Sequence, residues 1–336
     1  MKMIVFDFRE SEREYFNNNS FPDIDIKFKS HPLNETTVLS EQELEETDVI
    51  SVFINSNVSC EVLKKFKNLR VVTTRSTGYN HIDVKHCSQN HIAVFNVEKY
   101  GQAAVAQYTI TLILALVRNL IPAYLGMQKL LVDHSLYEGR NLETLTLGVI
   151  GGGAIGSAVA KLASALGMRV QLCSLEKNVE VSKYAEYVDF EDLLKTSDVI
   201  TLHIPYTEGN YHLISTKEIE MMKDGVCIVN TARGELIDDV ALYENLLNGK
   251  IKGAALDVLE CEFLSLNYDE NIDIKSVNSK CMTSAFIARK LLAMENVIIT
   301  PHIAYNTVES IELLLETTFN NIRDYAKGIH SNQIKL

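Results

Sequence analysis

Short apolar runs alternate along this chain with stretches in which hydrophobic residues recur every three or four positions. The runs Met3 to Phe8, Ile24 to Phe28, Val49 to Ile54, Val71 to Arg75 and Ala93 to Val97 make one series. A second begins at Leu145 to Ile150 and continues through Arg169 to Cys173, Val199 to His203, Val226 to Asn230, Ala254 to Val258 and Val297 to Thr300. Strands alternating with helices make parallel sheets with helices on both faces, so the pattern predicts two α/β units. From Ala304 onward, Ile311, Leu314, Leu315, Thr318 and Ile322 keep helical spacing. That tail is expected to return and pack on the first unit. The expected domains are therefore 1–100 plus 304–336 and 101–303.

Two segments stand apart from the alternation. Tyr100 to Val117 carries no charge, yet Gln102, Gln107, Thr109 and Thr111 interrupt it, and its length is at the lower limit for crossing a bilayer. It reads as a long buried helix at a domain or subunit boundary. Phe263 to Ala293 begins polar, lacks a strand pattern and reads as an insertion ending in a helix.

The strand Leu145 to Ile150 runs directly into Gly151-Gly-Gly-Ala-Ile-Gly156. Gly151 can leave the strand through a backbone angle costly for other residues, Gly153 removes a side chain that would block a phosphate, and Gly156 lets the next helix lie close to the strands. That helix, with Ala154 and Ile155 in its first turn, shows its period at Val159, Leu162, Ala163 and Leu166. Its N-terminal N–H groups and dipole would face an anion. Strand, glycine turn, helix and second strand together predict a dinucleotide site. The fold class expected is α/β, with two Rossmann-like or flavodoxin-like doubly wound parallel-sheet domains and a cleft between them.

An NAD site usually carries Asp or Glu about 20 residues beyond the glycines, where it bonds the ribose and repels a 2′-phosphate. This chain offers the neutral Ser174. Lys177 could approach a 2′-phosphate and Glu176 could reach the ribose, so NAD(H) and NADP(H) both stay open.

At 336 residues and 46% hydrophobic, the chain is long enough to bury two cores. Its net charge of -12 argues against nucleic acid and anionic membranes as partners, so an anionic ligand must be met by local cations. Cys60, Cys87, Cys173, Cys227, Cys261 and Cys281 show neither C-x-x-C nor metal-type spacing, and no secretory pattern opens the chain. The expectation is a reduced cytoplasmic protein with free thiols and no metal. Cys261 reads as a small core or pocket-wall residue.

Ligands of open parallel sheets lie beyond the C-terminal strand ends. There the second series carries Asn230-Thr-Ala-Arg-Gly234, Leu256-Asp-Val-Leu-Glu-Cys-Glu262 and Thr300-Pro-His-Ile-Ala304. Singly, an Arg before Gly, a Glu after a strand and a His after Thr-Pro are ordinary loop residues. Together, at successive strand ends, they suggest a site. His31, His81, His86, His91, His134, His212 and His330 have no such setting and read as structural or solvated.

With Arg75-Ser-Thr-Gly-Tyr-Asn-His-Ile-Asp83 and the glycine turn, these motifs stand in the order found in D-isomer-specific 2-hydroxyacid dehydrogenases. The chain resembles that family over essentially its full length. Tyr100, the residues after His302, the insertion before Val297 and Ser174 are similar to D-lactate dehydrogenases, including the vancomycin-resistance type, which tends to use NADPH. The resemblance implies that His302 is the acid and base, Glu262 its partner and Arg233 the substrate clamp. It gives Thr77 and Gly78 as N–H donors to the substrate carboxylate and Tyr100 as a pocket wall. Around the cofactor it implies Val105, His203, Pro205, Thr231 and Ala232, with Asp257 holding the nicotinamide carboxamide. A homodimer formed through the helix near Ala103 to Val117 is implied as well. Gln107, where an acidic residue is common, and Gly101-Gln102-Ala103 depart from the family's pattern.

Reduction of a 2-oxo acid needs a hydride on C2, a proton on its oxygen and a holder for the carboxylate. A guanidinium fork can bond carboxylate and carbonyl oxygens and strengthen as charge develops. An imidazole titrates near neutral pH, and a carboxylate on its other nitrogen fixes the tautomer and favours the imidazolium. The expected reaction converts a small 2-oxo acid to the D-2-hydroxy acid, with pyruvate and D-lactate leading. Hydroxypyruvate, glyoxylate and branched-chain or aromatic 2-oxo acids are alternatives, and a nucleotide-sensing corepressor-like binding protein is the reading from another class.

Overall fold

The computed structural model describes residues 1–19, 21–98, 100–265, 278–330 and 332–334. The chain divides into two compact units, Met1–Tyr100 with Asn306–Leu336, and Gly101–Tyr305.

The first unit is built on β1 (Lys2–Val5), β2 (Asp25–Phe28), β3 (Val49–Val52), β4 (Val71–Thr74) and β5 (Ala93–Phe95). They pair in the order β2-β1-β3-β4-β5, all parallel. Alternation along each strand separates two cores. Ile4, Phe6, Ile50, Val52, Val72 and Val94 point to one face, and Met3, Val5, Val49, Val71, Ala93 and Phe95 to the other. The tail forms the helix Val308–Ala326, capped by the Thr307 hydroxyl on Ser310 N at 3.2 Å, and it buries Phe319 and Ile322 in the second of these cores. Arg75 is 1% exposed and donates to the carbonyls of Phe6 and Asp7 and to Ser51 Oγ. It ties the strand ends together.

The second unit contains β6 (Thr146–Ile150), β7 (Arg169–Cys173), β8 (Glu186–Tyr187), β9 (Val199–Leu202), β10 (Val226–Asn230), β11 (Ile251–Leu256) and β12 (Val297–Ile299). The parallel order is β12-β11-β10-β9-β6-β7-β8, which reverses direction between β6 and β9. This is the doubly wound order whose ligands bind at the reversal. Both units have the α/β architecture that the strand–helix alternation predicts. β8 carries no apolar pattern, being a two-residue edge, and β11 begins at Ile251 rather than Ala254.

The uncharged stretch after Tyr100 is the helix Gln102–Val117, which buries Ala106, Ile110, Ile113 and Val117 against Leu147, Val149 and Val159. After Asn119, at φ +49, the chain bends by 61° into the helix Leu120–Gln128. Among the described residues no single helix is long and apolar enough to cross a membrane, although this bent pair passes by length and composition. The insertion ends in the helix Ser279–Leu292, as expected, while residues 266–277 of it lie outside those described.

One expectation is overturned. Cys60, Cys87, Cys173 and Cys227 are free, but Cys261 and Cys281 form a disulfide with a Cα separation of 5.5 Å. Spacing alone could not bring them together, because the backbone turn at Cys261 and the position of the helix bearing Cys281 are tertiary features.

Candidate active site

β10, β11 and β12 run in register, with Asn230 beside Leu256 and Leu256 beside Ile299. The three loops that follow therefore leave the sheet side by side, about 5 Å apart. They carry Arg233, then Asp257 and Glu262, then His302. A Cβ at Gly234 would stand 2.0 Å from Leu259 C and 2.2 Å from Glu260 N, so only glycine lets the loop of Arg233 touch the loop of Glu262.

His302 Nδ1 and Glu262 Oε2 are 2.8 Å apart, and Glu262 Oε1 accepts from Leu259 N at 3.2 Å. His302 has φ +54, a left-handed conformation that persists only when its surroundings enforce it. Asp257 supplies that enforcement. Its carbonyl accepts from His302 N at 2.9 Å, and its side chain accepts from Thr300 Oγ1 at 2.5 Å, Ile303 N at 3.0 Å and Ala304 N at 2.8 Å. Burial pushes the Asp257 carboxyl above its ordinary value, against the pull of these bonds and of His302. This loop-holding role was not visible in the sequence, where Asp257 reads as a cofactor contact.

Asn230 does similar work for Arg233. Its Nδ2 donates to Arg233 O at 2.8 Å and its Oδ1 accepts from Ala232 N at 3.0 Å, while the guanidinium is half-buried and donates to Ala232 O. Thr231 Oγ1 meets Thr109 Oγ1 at 2.9 Å, joining this loop to the helix that carries the half-buried Val105. A fixed Asn at the end of an apolar strand was the available signal for the first of these contacts.

At the sheet reversal, Gly151 has φ +106, and a Cβ there would meet His203 O at 2.4 Å. Gly156 passes so near Gly151 O, at 1.9 Å from an added Cβ, that the helix Ala154–Ala165 could not start there with a side chain. A Cβ on Gly153 would meet nothing within 4 Å, and no side chain caps the first turn formed by Ala154, Ile155 and Gly156. Open space before an uncapped helix start fits a dinucleotide pyrophosphate. His203 Nε2 lies 3.1 Å from Thr201 Oγ1, and burial lowers its ring to about 3, so it is neutral beside the exposed Pro205. Ser174 is half-buried at the end of β7, within 2.7 Å of a Cβ placed on Gly152. Lys177 is exposed, with Nζ 5.8 Å from the Tyr187 ring.

The family model described as D-isomer specific 2-hydroxyacid dehydrogenase, NAD binding domain, matches residues 110–304. The chain belongs to this family. A D-specific alpha-keto acid dehydrogenase of Enterococcus faecium is 37% identical over 280 residues, covering 83% of each chain. A D-lactate dehydrogenase of Lactiplantibacillus plantarum is 30% identical over 344 residues, covering 100% of both. The crystal structure of D-lactate dehydrogenase from Aquifex aeolicus, complexed with NAD and lactic acid, aligns with a TM-score of 0.83 at 34% identity, over 97% of this chain and 96% of that one. This chain is accordingly a D-2-hydroxyacid dehydrogenase with the family's NAD-binding domain.

The first unit of the dehydrogenase carries Thr77, Gly78 and Tyr100. Thr77 Oγ1 donates to Val97 O at 2.9 Å, Asn96 Nδ2 donates to Thr77 O at 2.9 Å, and Ser76 Oγ donates to Gly78 O at 2.6 Å. The turn after β4 is thus held through its side chains and carbonyls. Tyr100 is half-buried at the last position of this segment. In the second unit Gln107 is exposed, and nothing in its surroundings explains its departure from the family's acidic residue. Gly101 has an account: a Cβ there would stand 3.1 Å from Tyr305 Cβ.

Among the described residues no cluster of metal-ligating side chains occurs. Sequence reasoning also missed a network centred on Glu260, which is 3% exposed. It bonds Tyr211 Oη at 3.1 Å, His212 Nε2 at 3.1 Å and Lys280 Nζ at 2.9 Å. Burial raises the Glu260 carboxyl, but Lys280, His212 and Tyr211 outweigh it and hold the group below the usual range.

Proposed function

We propose that this dehydrogenase reduces a small 2-oxo acid, pyruvate foremost, to the D-2-hydroxy acid, using NADH or NADPH. The 2.8 Å contact between His302 and Glu262, on a loop adjacent to that of Arg233, carries the reading. The bound dinucleotide supplies the hydride that reaches C2. Arg233 grips the carboxylate and polarises the carbonyl, strengthening as negative charge grows on the oxygen. His302 donates the proton from Nε2 in reduction and accepts it there in oxidation, while Glu262 holds Nδ1–H and fixes the ring. Thr77 and Gly78 give backbone N–H groups to the carboxylate, and Tyr100 lines the substrate pocket.

Around the dinucleotide, Gly151, Gly153, Ala154, Ile155 and Gly156 hold the pyrophosphate, and Ser174 with Lys177 faces the adenosine ribose. Val105, His203, Pro205, Thr231, Ala232, Asp257 and His302 border the nicotinamide end. Residues 1–100 plus 304–336 form the substrate domain and 101–303 the nucleotide domain. The enzyme works in the cytoplasm as a homodimer.

His302→Ala and Arg233→Ala should each lower turnover by about 100-fold or more while circular dichroism stays native. Near-wild-type rates in both variants would falsify the assignment. Initial rates over pyruvate, phenylpyruvate, 2-ketoisocaproate, hydroxypyruvate and glyoxylate, each with NADH and NADPH, identify the substrate.

A further inference from the structure

Cys261 directly precedes Glu262, and its sulfur is bonded to Cys281 on the helix Ser279–Leu292, 20 residues away in sequence. Two features couple this bond to Glu262. Cys261 holds φ +51, a left-handed conformation that a residue with a side chain adopts only when its surroundings over-determine it. Its carbonyl also accepts from Leu264 N at 2.9 Å and Ser265 N at 3.1 Å, closing the single turn Glu262–Ser265 that carries the catalytic carboxylate. The backbone angle at the crosslinked cysteine therefore sets where Glu262 begins, and so whether it meets His302.

The neighbouring structure is held by other means. Glu260 is fastened to Tyr211, His212 and Lys280 and packs against Gly234, whatever the state of the sulfurs. Opening the disulfide would thus loosen the turn at 261–265, leaving it held by the bonds of Ser265 Oγ to Glu260 O at 3.0 Å and of Leu259 N to Glu262 Oε1 at 3.2 Å, with the sheet and the glycine loop in place.

We propose that Cys261 and Cys281 are a reversible thiol–disulfide pair that controls the placement of Glu262, the enzyme being more active oxidised than reduced. This rests on the proposed role of the Glu262–His302 pair. Cys261 is half-exposed and Cys281 is 7% exposed, so we assign the attack of an incoming thiolate to the Cys261 side of the bond. Attack by a dithiol reductant breaks the S–S bond and expels Cys281 as thiolate. The reductant's second thiol then resolves the mixed disulfide, releasing Cys261. Two electrons pass to the protein, the two protons lost by the reductant reach the cysteines, and the reductant leaves as its own disulfide. A low-molecular-weight disulfide drives the reverse reaction. Disulfides in reducing compartments are characteristically of this transient or sensing kind.

The test uses the full chain equilibrated with oxidised glutathione or with dithiothreitol, then alkylated under denaturing conditions. The oxidised protein should show two fewer reactive thiols, mapping to Cys261 and Cys281. On reduction, the Leu264 and Ser265 amides should exchange hydrogen about tenfold faster, with those of β6 and β10 unchanged. kcat/KM for 2-oxo acid reduction should fall about threefold or more and recover on reoxidation, while NADH affinity measured by fluorescence titration stays constant. Cys281→Ser should match the reduced enzyme and ignore dithiothreitol. Failure of the disulfide to form, or equal exchange and equal kcat/KM in two verified redox states, overturns the switch. Absence of turnover in both states counts instead against the dehydrogenase reading, and the exchange measurement still decides whether the sulfurs govern the turn.

Discussion

Asp257 illustrates how much a single side chain carries that its place in a motif does not announce. Both of its oxygens are bonded within the loop of His302, so the residue fixes the backbone that presents the imidazole. The placement of Arg233, Glu262 and His302 on neighbouring strand-end loops was legible, because the apolar runs before them mark where the strands end. The anchoring bonds of Asn230 and Asp257 were not, since they depend on loop conformations that spacing leaves open. Ser174 is the residue at which cofactor choice can be tested. A carboxylate there repels a 2′-phosphate, so Ser174→Asp should lower kcat/KM with NADPH about tenfold or more and leave NADH within about twofold. Equal losses with both cofactors would remove Ser174 from the ribose site.

At the scale of elements, burial on both faces leaves short continuous apolar runs in β1, β3, β4 and β5, which made the first sheet readable, and those of β6, β9 and β10 did the same for the second. β8 escaped because two edge residues leave no period. The helix Asp239–Leu247 hides a polar cost. Asp239 is 5% exposed, its Oδ2 has no hydrogen-bond partner, and burial, reinforced by Glu260, Asp238 and Glu235, raises its carboxyl to about 8. In the unfolded chain an Asp ionises near pH 4. The native state therefore binds the extra proton between those values, and stability falls as pH rises from about 4 toward 8. Asp239→Asn should match the parent at pH 4 and exceed it by roughly 2–4 kcal/mol at pH 8 in urea unfolding. A variant whose advantage does not grow with pH would show that Asp239 is ionised in the native fold.

For the whole molecule, the residues left uncovered are as informative as the cores. The resemblance implies pairing through the helix near Ala103 to Val117, but much of that helix is spent on its own unit. A run of exposed apolar residues lies just beyond it, at Leu120, Tyr124, Leu125, Met127, Leu130, Val132 and Leu136. In the proposed homodimer this patch is the surface that the second copy covers. Light scattering should return twice the 37.7 kDa of the chain, and Leu125→Asp with Leu130→Asp should halve that mass. A wild-type mass equal to one chain would refute the dimer. The sequence by itself determined the α/β class, the glycine turn and the three strand-end motifs, because periodicity and steric demand at a phosphate-binding turn are local properties. Only tertiary structure decided that Cys261 meets Cys281, that Asp257 holds the loop of His302 and that Glu260 gathers its partners. Each depends on where separate segments come to rest, and the free energy of that meeting is written in no one of them alone.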